Sequence, residues 1–263
     1  MTERAILLGA RSFVAPHLKR RLDACFQETE ALGRDLRAWA APSGAVIFSL
    51  IPLPALPALL PRVAEAKQII ALSSTSAVTK ATSPDPRERA LAAALLAAET
   101  ALAQFCRERG ILWTVLRPTL IYDPGVDRNV SAIAAFIRRF GFFPIVHPGR
   151  GLRQPVHADD VAAAMIAAID NTRALGKIFD LPGADTLSYR EMVARIFAGL
   201  GRAPRILPCP ASLLRFGLTL VHRIFRRGYS PALLDRMNQD LAFDRHPAEA
   251  ALDYRPRPFH PGF

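Results

Sequence analysis

The sequence predicts an α/β protein with a doubly wound, largely parallel sheet, and three observations carry that expectation. Short runs rich in Ile, Leu and Val recur along the first half: AILLG at 5–9, AVIFSLIPL at 45–53, QIIALSS at 68–74 and LWTVLRPTLIY at 112–122. Helical segments stand between them, FVAPHLKRRLDACF after the first run and PRERALAAALLAAETALAQFCRERG between the last two. The runs are almost continuously apolar, as strands covered by helices on both faces require. A chain of 263 residues can bury one large core, or a core with a small satellite.

The first helix contains Pro16, which is tolerated in a first turn. The following segment, FQETEALGRDLRAWAAPS at 26–43, has room for one strand around Thr29 to Leu32 and a helical turn or two from Asp35. The sheet is therefore expected to be shortened between its first and fourth strands. After Tyr122 come a loop (DPGVDRN), a helix (SAIAAFIRRFGFF), an extended arm (PIVHPGRGLRQPVH) and a helix (ADDVAAAMIAAIDN). Asp159 and Asp160 stand in that last helix's first turn, where the helix dipole favours carboxylates. GKIFDLPG reads as a strand, and SYREMVARIFAGLG as a helix capped by Ser188 and stopped by Gly201. Residues 1–170 thus form the main domain, with later elements adding to its sheet, and 171–263 mainly a small C-terminal lobe and tail.

The formal charge is +11, which invites a nucleic-acid reading. Only four lysines occur, at 19, 67, 80 and 177, so the surplus is arginine scattered along the chain without interleaved aromatics. That distribution argues against a nucleic-acid footprint. Cys25, Cys106 and Cys209 are too far apart for a metal knuckle, and with no secretory-type start they fit a reducing cytoplasm. No stretch reaches 18 uninterrupted apolar residues. The basic apolar segment LLRFGLTLVHRIFRRG at 213–228 is either a peripheral contact for anionic lipid or a protein partner, or a packing helix of the lobe.

The turn LLGARSFVA ends an apolar strand at Gly9 and places Ser12 and Ala15 before a helix. Strand, small-residue turn and helix in that order form the start of a dinucleotide-binding unit, where amides at the helix start receive phosphate. Arg11 and Arg34 are nearby partners for anions.

Taken in order, LLGARSF, ALSSTSAV, RPTLIYDPG and RQPVHADDVAAAM resemble signature segments of the extended short-chain dehydrogenases, in particular the nucleoside-diphosphate-sugar epimerase and dehydratase group. The resemblance runs from about Ala5 to Asp170, and DRHPAEAALDYRPRP is similar to that family's closing segment. It implies a Rossmann-like domain holding NAD or NADP, a substrate-side C-terminal lobe, and hydride chemistry on a nucleotide sugar. The cofactor-side positions it implies are Gly9, Arg11, Ser12, Phe13, Arg34, Ser49, Ser73, Pro118 and Ile121. Arginine at 34, where the family often meets the adenosine ribose, favours the 2′-phosphate of NADP. Arg150 and Arg153 resemble positions near the substrate diphosphate. The family usually has glycine where Ser12 and Ala15 stand.

The catalytic pattern departs further. Thr75 matches the family's serine or threonine, but the tyrosine and lysine fall on Leu91 and Leu95, counting back from Glu99. No tyrosine or lysine occurs between Lys80 and Tyr122, so no shift of register restores the pair. Leucine can neither move a proton nor lower a neighbour's pKa. His157, with an ordinary pKa near ~6.5, is the alternative proton carrier, or else a structural partner of the Asp159 helix. Two functions follow: an atypical NAD(P)-dependent oxidoreductase or epimerase, or a non-catalytic NAD(P)-binding scaffold or sensor.

Overall fold

In the computed structural model, which describes residues 4–33, 39–214, 234 and 236–263, a six-stranded parallel sheet forms the centre. Its strands are β1 (Arg4–Leu8), β2 (Glu28–Leu32), β3 (Val46–Ser49), β4 (Gln68–Leu72), β5 (Leu112–Pro118) and β10 (Lys177–Leu181), in the order β2-β1-β3-β4-β5-β10. β1 pairs with β2 on one side and β3 on the other, so Leu8 stands opposite both Leu32 and Ser49. The winding reverses at β1. That reversal opens a crevice at the carboxyl ends of β1 and β3, the usual ligand position in such sheets. Only β2 lies beyond β1, which matches the shortening expected from residues 26–43.

The burial pattern explains why the strands read as unbroken apolar runs. Every residue of β3 and β4 is buried, because helices cover both faces. On one face, α1 (Ala15–Cys25) and α5 (Ala158–Ala167) pack over Leu7, Phe48, Ile70 and Leu116. On the other lie α3 (Pro86–Arg109) and two 3₁₀ turns (Leu53–Ala55 and Pro57–Val63). The Asp85 carboxylate caps α3 by accepting from Arg87 N–H at 2.9 Å, Pro86 occupies its first turn, and Gly110 ends it at φ +67°. A cap of this kind contributes about 1 kcal/mol. By length and composition α3 could cross a membrane, yet here Leu95, Ala98, Leu102 and Cys106 lie against the sheet. Gln68 ties β4 to the end of α5, donating to Ala168 O at 2.8 Å and accepting from Asp170 N–H at 3.0 Å.

A separate cluster lies beyond the strand ends, built by α4 (Val130–Phe140) and α6 (Tyr189–Gly199) with Tyr122 and Phe259. Ser188 caps α6 reciprocally with Glu191, as the Ser-x-x-Glu spacing predicts. The extended arm becomes β7 (Phe143–Val146), β8 (Leu152–Arg153) and β9 (Val156–His157); β9 pairs with β6 (Ile121–Tyr122). Residues 171–263 are not one contiguous lobe. β10 extends the main sheet, and α7 (His246–Leu252) and Tyr254 return to the α1/α5 core. The helical turn expected from Asp35 and all but the start of the basic segment 213–228 lie outside the described residues.

The Tyr254 hydroxyl is buried and donates to Pro182 O at 2.9 Å, fastening the C-terminal segment to the end of β10. Tyr254→Phe leaves that carbonyl without its donor. Urea unfolding should show a loss of about 1 kcal/mol with unchanged far-UV circular dichroism.

Candidate functional site

The turn after β1 is organised by Gly9. Its φ is +94°, and a Cβ there would lie 2.9 Å from both Leu50 C and Ile51 N. Only glycine allows the backbones after β1 and β3 to approach so closely. The amides of Gly9 and Ala10 both donate to Leu32 O at 3.0 Å, which binds the end of β2 to the same turn. Ser12 N–H donates to Gly9 O, Ala15 N–H to Ser12 O, and Val14 N–H to Ser12 Oγ at 3.3 Å. Pro16 has no N–H. Among the described residues this leaves the amides of Arg11 and Phe13, with the Ser12 O–H, as donors for an incoming anion.

A pocket of ≈ 670 Å³ opens at this turn. Among the described residues its lining includes Gly9, Arg11, Ser12, Gly33, Leu50 and Arg62, and no carboxylate. Arg11 is exposed and Arg62 half-buried. Small side chains, open donors and two cations suit a phosphate-bearing, partly apolar ligand. Arg62 was not singled out by sequence. Nothing local marks it, because only the folding of the second 3₁₀ turn brings it to the Gly33 side. Arg34 lies outside the described residues. Ser49 is at the end of β3 with its hydroxyl buried and unpartnered, while Phe13 packs against the α1/α5 core.

A second group forms where β4 and β5 end. Thr75 is buried, and both its amide and its hydroxyl donate to Pro118 O at 3.3 Å. Ser73 Oγ donates to Glu99 Oε1 at 2.5 Å, and Arg117 Nε donates to the same oxygen at 2.8 Å. Arg117 also pairs with Glu99 Oε2, and this hydrogen bond raises its pKa. Asp180 adjoins that pair, its carboxyl pushed upward by burial. A lone arginine in the apolar run LWTVLRP was the sequence signal for this network. Leu95 lies in the core, whereas Leu91, one turn earlier, is exposed. Ile121 begins β6 and packs against the α1/α5 core.

His157 lies elsewhere. Its Nδ1 accepts from Asp159 N–H at 3.0 Å, capping α5, and its ring meets Tyr122 and His17 edge-on. The Asp123 carboxylate accepts from His17 Nε2 at 2.8 Å and stands 3.9 Å from His157 Nε2. Burial, aided by Arg257, lowers the His157 pKa. Among the described residues no hydrogen bond joins it to Thr75. Asp159 is held at about 2: burial alone would raise it, but Arg21 and Arg257 outweigh that.

The two substrate-side arginines differ. Arg153 is buried, stacks over Tyr189 at 5.4 Å, and donates to the carbonyls of Leu152, Arg236 and Gln239. Burial lowers its pKa to about 10. Arg150 is exposed, with its backbone amide on Asn238 Oδ1. Sequence also missed Glu88, a buried carboxylate that accepts from Ser83 and pairs with Lys80 and Arg236.

The reversed winding, the glycine turn and the crevice define a Rossmann-like fold. Residues 58–181 match the family model described as the NAD dependent epimerase/dehydratase family. The matched stretch is just under half of the chain. Among curated relatives it is 31% identical over 98 residues to "NADH dehydrogenase [ubiquinone] 1 alpha subcomplex subunit 9, mitochondrial" of Arabidopsis thaliana, covering 37% of this chain and 24% of that protein. It is 21% identical over 160 residues to UDP-glucose 4-epimerase of Vibrio cholerae, covering 60% and 46%. The chain thus spans less than half the length of either. Among solved structures, UDP-glucose 4-epimerase of Thermotoga maritima with UDP-glucose aligns over 97% of this chain and 94% of that one, at 17% identity and TM-score 0.67. UDP-glucuronic acid 4-epimerase of Bacillus cereus with NAD aligns over 97% and 92%, at 13% identity and TM-score 0.70. These likenesses establish the fold.

The cap at His157 requires a neutral ring. Because its folded pKa is depressed, its stabilising contribution is present above the unfolded value near ~6.5 and lost as pH falls through the folded pKa. His157→Ala should cost about 1 kcal/mol at pH 8, and His157→Asn, a good cap, should restore most of it. The penalty for alanine should shrink toward pH 5, as followed by urea unfolding at each pH.

Proposed function

We propose that the crevice at the ends of β1 and β3 binds a nicotinamide dinucleotide, NADP in preference to NAD. We further propose that the protein is an atypical NAD(P)-dependent oxidoreductase of the epimerase/dehydratase kind, acting on a nucleotide sugar or related small molecule. The observation that carries the reading is the pocket at Gly9, with open amides, Arg11 and Arg62, and, among the described residues, no carboxylate in its lining. The similar structures of UDP-glucose 4-epimerase with UDP-glucose and of UDP-glucuronic acid 4-epimerase with NAD and UDP-glucuronic acid support the same ligand classes.

The cofactor supplies a two-electron donor or acceptor when bound. The chain's own contributions are binding and shape: the Arg11 and Phe13 amides and the Ser12 hydroxyl toward phosphate, Ser49 and Ser73 at the strand ends, and Arg150 as the open cation for a substrate anion. Thr75 supplies a hydroxyl, which donates and accepts hydrogen bonds but is no base comparable with a lysine-assisted tyrosinate. Glu99 is engaged by Arg117 and Ser73, and His157 caps a helix. Standard tyrosine-driven epimerisation is therefore outside this chain's reach.

Calorimetric titration of the folded protein should show NADPH binding more tightly than NADH; no binding of either at millimolar concentration would overturn the cofactor reading. A panel of common nucleotide sugars should show no ordinary epimerisation. Robust epimerisation that Thr75→Ala leaves untouched would refute the account of the catalytic side. A second reading, a non-catalytic NAD(P)-binding scaffold, is favoured by Leu91 and Leu95 and by the match to a respiratory-complex subunit. Clear binding without turnover across the panel would place it first.

A further inference from the structure

Arg62 differs from most of the enclosed arginines of this protein. Arg21, Arg117, Arg195, Arg245 and Arg257 each pair with a carboxylate, and Arg153 is surrounded by carbonyls. Among the described residues, the half-buried Arg62 guanidinium makes one hydrogen bond, from Nη1 to Trp39 O at 3.0 Å. Its own carbonyl accepts from Ala41 N–H at 2.7 Å. Those contacts fix the residue to the segment that follows β2, and the same side chain lines the pocket together with Gly33, at the end of β2. Among the described residues the guanidinium has no carboxylate partner and the pocket lining includes no carboxylate, so Arg62 retains fork donors for an oxyanion.

The position within the pocket indicates which oxyanion. The phosphate-bridging donors are at Arg11 to Phe13, whereas the end of β2 is the side on which this fold meets the adenosine ribose. Pro52, Ala55, Ala58 and Leu59 supply an apolar wall adjoining Arg62, suited to a purine. We infer that Arg62 is the specificity-determining residue of this pocket, reading a 2′-phosphate on the adenosine ribose from the 3₁₀ turn after β3. The inference rests on the dinucleotide reading above and assigns its cofactor preference to a residue outside the β2–α1 region.

The test uses the full chain, with Arg62→Gln, which removes the charge yet keeps an amide donor for Trp39 O, and Arg62→Lys, which keeps the charge and loses the fork. NADPH, NADH, adenosine 2′,5′-bisphosphate and adenosine 5′-monophosphate are each titrated calorimetrically, with thermal unfolding as the folding control. Arg62→Gln should weaken NADPH and the bisphosphate by about tenfold or more, the loss expected for a charge-assisted contact, and NADH and the monophosphate by less than about threefold. Arg62→Lys should recover part of the difference. Equal losses for both pairs of ligands, no loss for either, or a wild type that fails to favour NADPH would overturn the inference while leaving the dinucleotide site intact. Binding of the bisphosphate that depends on Arg62, without binding of either dinucleotide, would uphold the phosphate-reading residue and remove the proposed function.

Discussion

The close passage of the backbone at Gly9 over Leu50 and Ile51 is the constraint on which the rest of this site depends. It forces a left-handed residue at the end of β1, and the turn that follows takes Leu32 O as a shared acceptor for two amides. The ends of β1, β2 and β3 are thereby held in one small region. A side chain at position 9 would push β3's exit loop away and separate the walls that Arg11 and Arg62 share. The absence of glycine at 12 and 15 matters less. Ser12 Oγ accepts from Val14 N–H within the turn, and Ala15 is buried where α1 meets the sheet. The strain at Gly9 is thus what makes a concave, electropositive site out of three parallel strand ends.

Opposite constraints govern the β4–β5 end. There the fold gathers Ser73, Glu99 and Arg117, which satisfy one another, beside Asp180, whose Oδ1 is buried without a hydrogen-bond partner among the described residues. Leu95 reinforces this arrangement by packing against the sheet, where a lysine would carry an ammonium into the same space. The result is a rigid, dry junction between α3 and the sheet rather than a titrating pair.

Much of this frame was legible in the chain. Continuous apolar runs gave the buried parallel strands, the short 26–43 segment gave the truncated edge, and Ser188 with Glu191 gave the start of α6. Each of those signals is local, and local physics determines it. The His157 cap was half legible: the acceptor and the Asp159 amide are two residues apart, but the rings of His17 and Tyr122 that enclose the histidine come from distant segments. Arg153 and Arg62 were not legible in the same way. One is enclosed by carbonyls from residues 236 and 239, the other meets a pocket built from three strand ends, and neither circumstance leaves a mark in the neighbouring sequence. An arginine-rich composition adds to the difficulty, since charge alone does not single out one arginine among many.

The two ends of the sheet are also energetically separable. Among the described residues no part of the Gly9 pocket's lining comes from α3 or β5, and the turn's open donors are backbone amides that persist whatever side chains stand on α3. Burying Leu95 strengthens the fold locally, since it removes apolar area from water at roughly 25 cal/mol per Å². Leu95 on α3 thus acts as packing against the sheet, while Leu91, one turn earlier, stands exposed.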